Sequence, residues 1–404
     1  MTKGHYRRGP ARGVGAPPAA PLVAAALLGA LAVAGAPTRA RAQEADTTKS
    51  RVQALDLSGG ADQSLEDLTG ESSFPLQITG FGVGNYAYDG RTNDNTFAAG
   101  KLAVSMFREM GSSFWVFGQL TTSLAEEGGG GDVPTEIEID NLIVNFTPPG
   151  ATNLSFSFGK FDTPIGFERD DEPLNLQPTE SFNFQYARPA KMVGLIGRWN
   201  LTPAVDIAGW VGNGWDSQID PNHGKTAGLR LGARPTENSS LGLAGLYGPE
   251  GDQGDSFDRY LLTFDYALQP TPDVIVAGEA SYGGDRQVQA NGSDANWYGA
   301  LLTLFGRFTE HVGATARGEL FNDLDGARTG TAQRLWSLTL APTYFLGTGR
   351  EGIFANVEHT TFRIPRFQIR AGLRYDYSTS DFFESGDGPT SWDIRYVTEL
   401  VATF

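Results

Sequence analysis

From about Phe74 to the last residue, apolar and polar positions alternate with a period of two. The alternating segments run for roughly ten to fourteen residues, separated by breaks rich in Gly, Pro, Asn and Asp. A period of two places successive side chains on opposite faces of a pleated strand. The final segment is the clearest: Trp392, Ile394, Tyr396, Thr398, Leu400, Ala402 and Phe404 share one face, and Asp393, Arg395, Val397, Glu399, Val401 and Thr403 the other. Trp336, Leu338, Leu340 and Tyr344 are likewise set against Ser337, Thr339 and Thr343. Sixteen such segments, from 76–89 to 390–404, predict an all-β chain. The stretch Gly347 to Pro365 contains Ile353-Phe354-Ala355 and is read as an enlarged turn, which keeps fourteen or eighteen strands open as alternatives.

A soluble sandwich also alternates, so two further features decide the architecture. Aromatics sit near strand ends, as with Trp336 and Tyr344 or Trp392 and Phe404, where amphipathic rings meet a membrane interface. Short breaks (Asn200 to Ala204, Gln269 to Asp273, Phe308 to His311) also alternate with long polar ones (Ala125 to Pro134, Asp162 to Pro189, Asp216 to Lys225, Gly283 to Ala295). Short turns on one side and long loops on the other describe a transmembrane antiparallel β-barrel with short periplasmic turns. The barrel is assigned to residues 76–404, about sixteen strands, with a polar lumen. Phe404 closes the last strand and is expected to serve as an assembly signal.

The N-terminus has a different character. Lys3, Arg7, Arg8 and Arg12 precede an apolar run from Pro21 to Ala36, and Ala40-Arg41-Ala42 supplies a small-x-small cleavage pattern. Residues 1–42 therefore read as a signal peptide, too short to span a bilayer. Residues 43–75 are polar and read as a flexible periplasmic segment. The leader holds six of the 31 basic residues and none of the 47 acidic ones, so the mature chain has 25 against 47, a formal net of −22. That balance argues against nucleic acid as a partner. With no cysteine, disulfides, thiolate metal sites and cysteine nucleophiles are excluded.

Catalytic material is scarce. Only His223, His311 and His359 lie beyond the leader, none in a zinc-peptidase or lipase context, so no enzyme and no cofactor are expected. Asp216, Asp220 and Asn222, or Asp323 and Asp325, have oxygen ligands suited to Ca²⁺, but turn chemistry accounts for them equally and no metal is assigned. Two constellations carry physics. Charges on presumed inner faces, Lys160, Arg198, Arg230, Arg317, Arg370, Arg374 and Arg395 with Asp265, Glu279, Glu319, Asp376 and Glu399, are candidates to line a pore. Facing lipid at mid-depth each would cost ~2–4 kcal/mol. The long break after Asp162 contains Glu168, Arg169, Asp170, Asp171 and Glu172. Its alternating Phe182, Phe184 and Tyr186 suggest that it packs, folding into the lumen as a constriction loop rather than lying solvated outside.

The run Gly159-Lys160-Phe161-Asp162-Thr163-Pro164-Ile165-Gly166-Phe167-Glu168 resembles the G-K-F-x-T-P-x-G-x-E signature of OmpL-like β-barrel porins, and is similar to a segment of the phosphate-selective porins O and P. Gly209 to Asp216, Asn222 to Lys225 and Arg374 to Ser378 extend the resemblance, and Phe404 is similar to the signal read by the barrel-assembly machinery. The resemblance implies an outer-membrane porin: a passive channel for small hydrophilic solutes or ions, set among outer-membrane lipid and lipopolysaccharide, with homo-oligomers open. The alternatives are a phosphate- or anion-selective porin and a closed structural or adhesive barrel. Acidic loops would favour cations at low salt, while constriction charges decide selectivity once a Debye length of ~8 Å screens the rest. Weak selectivity leaning towards cations is the expectation.

Overall fold

The computed structural model describes residues 76–124, 135–251, 256–346, 366–384 and 388–404; the leader 1–42, the segment 43–75 and the 347–365 insertion fall outside them. Sixteen strands follow in chain order. The first eight are β1 (Gln77–Asp89), β2 (Asp94–Met110), β3 (Phe114–Leu124), β4 (Thr135–Phe146), β5 (Leu154–Asp162), β6 (Lys191–Thr202), β7 (Val205–Gly212) and β8 (Thr226–Ala233). The second eight are β9 (Ser239–Glu250), β10 (Phe257–Thr271), β11 (Val274–Asp285), β12 (Ala295–Arg307), β13 (Val312–Asp323), β14 (Gln333–Leu346), β15 (Phe367–Ser378) and β16 (Trp392–Thr403). Each pairs antiparallel with its sequence neighbour, and β1 pairs with β16 from Phe81↔Thr403 to Asp89↔Arg395, closing the barrel. Closure leaves no unpaired edge, which a strand must achieve if its backbone is to sit in hydrocarbon.

The two faces reverse the order of a soluble protein. Along β14, Trp336, Leu338, Leu340 and Tyr344 are exposed on the outer wall, while Ser337, Thr339 and Thr343 are buried inside. On β15 and β16 the exposed residues are Leu373, Tyr375, Trp392, Ile394, Tyr396 and Leu400, with Arg370, Arg374, Asp376, Asp393 and Glu399 inside. Apolar-out, polar-in alternation is the signature of a barrel solvated by lipid. Rings pair at both rims: Trp336 with Tyr377 (5.7 Å) and Tyr260 with Tyr282 (6.1 Å) at one end, Phe114 with Phe146 (5.0 Å) at the other.

Connections 203–204, 272–273 and 308–311 are short, whereas 163–190, 213–225 and 379–391 on the opposite end are long. The longest, 163–190, folds into the barrel. It brings an apolar core inside, where Phe161, Ile165, Phe182, Ala187 and Met192 pack with Trp210, Trp215, Trp297 and Phe321 from the walls and the 213–225 loop.

Candidate permeation site

The G-K-F-x-T-P-x-G-x-E run forms the entrance to this loop, and its residue types follow from that role. Gly159 sits at φ +138 and a Cβ there would lie 1.8 Å from the Leu142 carbonyl oxygen, so only glycine fits the close approach of β4 to β5. Thr163 clasps the two loop ends: its N–H donates to the Ala190 carbonyl (2.9 Å) and its hydroxyl to that of Pro189 (2.6 Å). Ile165 is fully buried, and Gly166 takes a left-handed turn (φ +77) so that Phe167 N–H can donate to Glu279 Oε2 of β11 (2.8 Å). Glu168 then meets Arg317 of β13.

Beyond Glu168 the loop is bolted to the β11–β15 wall. Arg317 donates to Glu168 and to the carbonyls of Thr179 (2.7 Å) and Glu180 (3.0 Å). Arg370 reaches the carbonyls of Glu172 (2.9 Å) and Asn175 (2.6 Å) while pairing with Glu399 (2.6 Å). Arg374 donates to the Glu180 carbonyl, pairs with Asp376 (2.7 Å) and Glu319 (3.3 Å), and lies over the Phe182 ring (4.5 Å). Phe182 N–H donates to Glu319 (2.6 Å), Arg188 pairs with Glu279 (3.0 Å), and Trp297 Nε1–H donates to the Ala187 carbonyl (3.2 Å). Phe182, Phe184 and Tyr186 surround a π-helical turn, Asn183–Ala187, rather than a strand, and Tyr186 packs on Phe321 at 5.7 Å. Burial alone would raise the Glu168 carboxyl, but Arg317 and the Ser181 hydrogen bonds hold it below the usual carboxylate range.

The loop's other flank faces β2–β6 with a mixed cluster. Lys191 contacts Asp162 (2.6 Å), Asp140 (2.7 Å) and Asp170 (3.3 Å); Lys101 contacts Glu172 (3.5 Å), Asp170 (3.6 Å) and Asp171 (4.0 Å). Asp140 reaches this cluster because a β-bulge against Gln119–Leu120 turns it inward beside Asn141. Asp140, Asp170 and Asp171 offer oxygens within 4.8 Å of one another, with the two lysine ammonium groups among them. Burial, reinforced by Asp162, pushes the Asp171 carboxyl up to about 7 against Lys101 and Lys191. Burial and then Asp170 push Glu180 to about 7 as well.

Both carboxyls are raised by folding, so between the ordinary carboxylate range and pH 7 the folded loop holds protons that the unfolded chain has released. Their contribution to stability is therefore greatest at acid pH and is lost as pH rises through 7. The detergent-folded protein should melt higher at pH 5.5 than the same groups allow at pH 8, and Asp171→Asn with Glu180→Gln should flatten that dependence. An equally steep pH dependence in the double variant would refute the assignment.

Between loop residues 162–169 and the wall from β6 to β10 lies a cavity of about 110 Å³, room for several water molecules. It is lined by Arg169, Arg198, Arg230 and Arg234 and by Asp162, Asp206 and Asp265, among others. Arg230 and Asp265 form a two-pronged pair (2.5 and 2.8 Å), and Arg234 lies 3.6 Å from Asp206. Inward glycines make room for these side chains: a Cβ on Gly242 would fall 1.9 Å from the Arg230 guanidinium, and one on Gly232 would fall 2.5 Å from the Asp206 carboxylate. Gly242→Ala should push Arg230 off Asp265 and change the reversal potential; an unaltered potential would show that the displaced guanidinium has no part in selectivity.

Of the charges expected to line a pore, Arg198, Arg230 and Asp265 border this cavity. Arg317, Arg370, Arg374 and Glu319 do not: they are sealed beneath the loop, because their partners are loop carbonyls and carboxylates. Lys160 also lies elsewhere, since it continues the outward alternation of Phe156 and Phe158 and donates to Glu138 Oε1 (2.5 Å) and the Ile139 carbonyl (2.9 Å). In the loop, Glu168 bonds the wall, Asp170, Asp171 and Glu172 join the lysine cluster, and Arg169 alone of the five borders the cavity. Asp216 accepts from the Ala190 and Lys191 N–H groups, Asp220 from those of Asn222 and His223, and Asp323 from Ala327, Arg328 and Thr329, so loop geometry accounts for these carboxylates. Sequence reasoning missed Lys101, Asp140, Lys191, Asp206 and Arg234. Lys191, Asp206 and Arg234 carry only the signal of charge near a strand end, which many solvated residues share; Lys101 and Asp140 lie within β2 and β4, and the bulge that turns Asp140 inward has no local signature.

The model of the family described as "Putative beta-barrel porin-2, OmpL-like" matches residues 120–404. No curated protein matches the sequence. Among solved structures, the fold is similar to the outer membrane channel DcaP of Acinetobacter baumannii, with a TM-score of 0.59 at 11% identity over 85% of this chain and 100% of that one. It is also similar to an anion-selective porin from Comamonas acidovorans (0.57, 10%, 82% and 100%) and to in-vitro folded OmpT of Vibrio cholerae in a trimer form (0.55, 11%, 82% and 100%).

Proposed function

We propose, for a chain that belongs to the OmpL-like family of β-barrel porins and so forms a diffusion channel in the outer membrane, that small hydrophilic solutes cross beside the loop 163–190 with weak charge selectivity. One observation carries this reading: the cavity between the loop and the β6–β10 wall is polar and bears both signs of charge in near balance, Arg169, Arg198, Arg230 and Arg234 against Asp162, Asp206 and Asp265. Fixed charges at close quarters filter solutes more strongly than distant surface charge, which salt screens. The acidic balance of the chain favours cations at the mouths at low salt, and the extra arginine in the cavity opposes it. A channel needs no catalytic group, and none is assigned.

Around this core we place a signal peptide at 1–42, a periplasmic segment at 43–75, contact with lipid and lipopolysaccharide on the apolar outer wall, and assembly through Phe404. A homo-oligomer fits the trimer form of OmpT. An anion-selective pore is the second reading, favoured by Arg169, which has no ion pair among the described residues. Reversal potentials in planar bilayers across a tenfold KCl gradient separate the two. Values near zero, shifting towards cation preference as salt is lowered, are expected. Strong anion preference removed by Arg230→Ala with Arg169→Gln would favour the second reading, and absence of conductance would favour a closed structural barrel.

A further inference from the structure

The cavity between the loop and the β6–β10 wall holds a guanidinium with no ion-pair partner among the described residues. Arg169 borders it from the loop side, and its backbone is fixed there by the Asn175 side chain, which accepts from Arg169 N–H (3.0 Å) and donates to its carbonyl (2.6 Å). Its Nε is buried and meets no hydrogen-bond partner, and no carboxylate pairs with it among the described residues. The carboxylates nearby are already engaged: Asp265 by both prongs of Arg230, and Asp162 by Lys191 at 2.6 Å. Burial, with repulsion from Arg188 and Arg230, outweighs the attraction of Asp265 and Asp162 and lowers the Arg169 guanidinium to about 10. Across the cavity, Arg230 uses Nη1 and Nη2 on Asp265, and a guanidinium has five N–H donors.

We propose that this cavity is a binding subsite for a small oxyanion, a phosphate or carboxylate group, with Arg169 as its principal ligand and the Arg230 side of the wall as its second. An oxyanion supplies what the site lacks, a negative charge and several acceptor lone pairs, and planar guanidinium forks match its geometry. The cavity has room for several water-sized groups, enough for a single oxyanion. Access for the anion rests on the reading of this cavity as part of the permeation path. The acidic cluster around Asp140 and Asp170 is no rival for a cation ligand, because Lys101 and Lys191 are already seated in it.

The test is isothermal titration of the detergent-folded full chain with inorganic phosphate and, separately, with acetate, in chloride buffer. Saturable binding of either anion is expected, and the arm that responds identifies the group. Arg169→Gln should weaken it tenfold or more, while Arg169→Lys keeps the charge without the fork and should fall between. Arg286→Gln, on the exposed connection after β11 and outside the cavity, should leave binding unchanged. Heat-modifiable gel mobility confirms that each variant is folded. No saturable binding of either anion by the natural sequence, or equal binding by folded Arg169→Gln, overturns the subsite. Bilayer conductance on the same samples keeps the two readings apart. Intact titration with a silent bilayer sinks the diffusion path alone, and a conducting pore without titration sinks the subsite alone.

Discussion

Replacing Arg317 with alanine is expected to release the inward-folded loop 163–190 from the wall, raising single-channel conductance several-fold and exposing the loop to protease. Arg317 is fully buried on β13 and holds the loop at one charge, Glu168, and two carbonyls, Thr179 (2.7 Å) and Glu180 (3.0 Å), while also pairing with Glu319 of its own strand (3.3 Å). Its loss leaves Glu168 and Glu319 with one cation fewer in a dry setting. Removing one partner of a buried pair costs about 3–5 kcal/mol, far more than the pair itself contributes against apolar replacements. The barrel should stay closed, because strand pairing from β12 to β14 is a backbone matter. Arg317→Met combined with Glu168→Gln should recover part of the loss, since neither member then remains charged and alone. Conductance and protease resistance unchanged in Arg317→Ala would show that the loop is held by its apolar core instead.

Deleting Phe404, or changing it to aspartate, should lower the outer-membrane level of the protein many-fold while leaving its export intact. The last residue is part of barrel closure: Phe404 N–H donates to the Gly80 carbonyl (2.9 Å) and Gly80 N–H to that of Phe404 (3.1 Å). Its exposed ring lies across Gly80, where a Cβ would stand 2.6 Å from the ring carbons. Deletion removes both closing hydrogen bonds and a rim aromatic; aspartate keeps the bonds but sets a charge where an interfacial ring belongs. Fractionation with quantitative blotting measures the effect. Equal outer-membrane levels for the truncated and natural chains would remove Phe404 from any assembly role.

The closed barrel, a count of about sixteen strands with fourteen or eighteen left open, and the orientation of nearly every strand were legible in the chain, because a period of two is a local property and lipid outside allows one answer about which face is apolar. The final strand shows this residue by residue: Trp392, Ile394, Tyr396 and Leu400 are outside, Asp393, Glu399 and Val401 inside. Lys160 shows the limit, since alternation puts it with Phe156 and Phe158 while its charge invites an inward placement. The loop signature was also readable as a motif. Its reasons, the approach of Gly159 to Leu142 and the turn at Gly166 against Glu279, depend on strands far away in sequence.

Only the folded barrel decided which inward charges face open space. Arg230 and Arg374 have the same alternation, the same parity and a carboxylate nearby, yet one borders a cavity and the other lies beneath the loop. The difference is the path of residues 163–190, which cross to the β11–β15 wall because buried arginines there find loop carbonyls to bond. Local sequence determines on which side of a sheet a side chain stands. What stands opposite it is set by contacts more than a hundred residues apart, such as Arg317 with Glu168, and no local pattern encodes them.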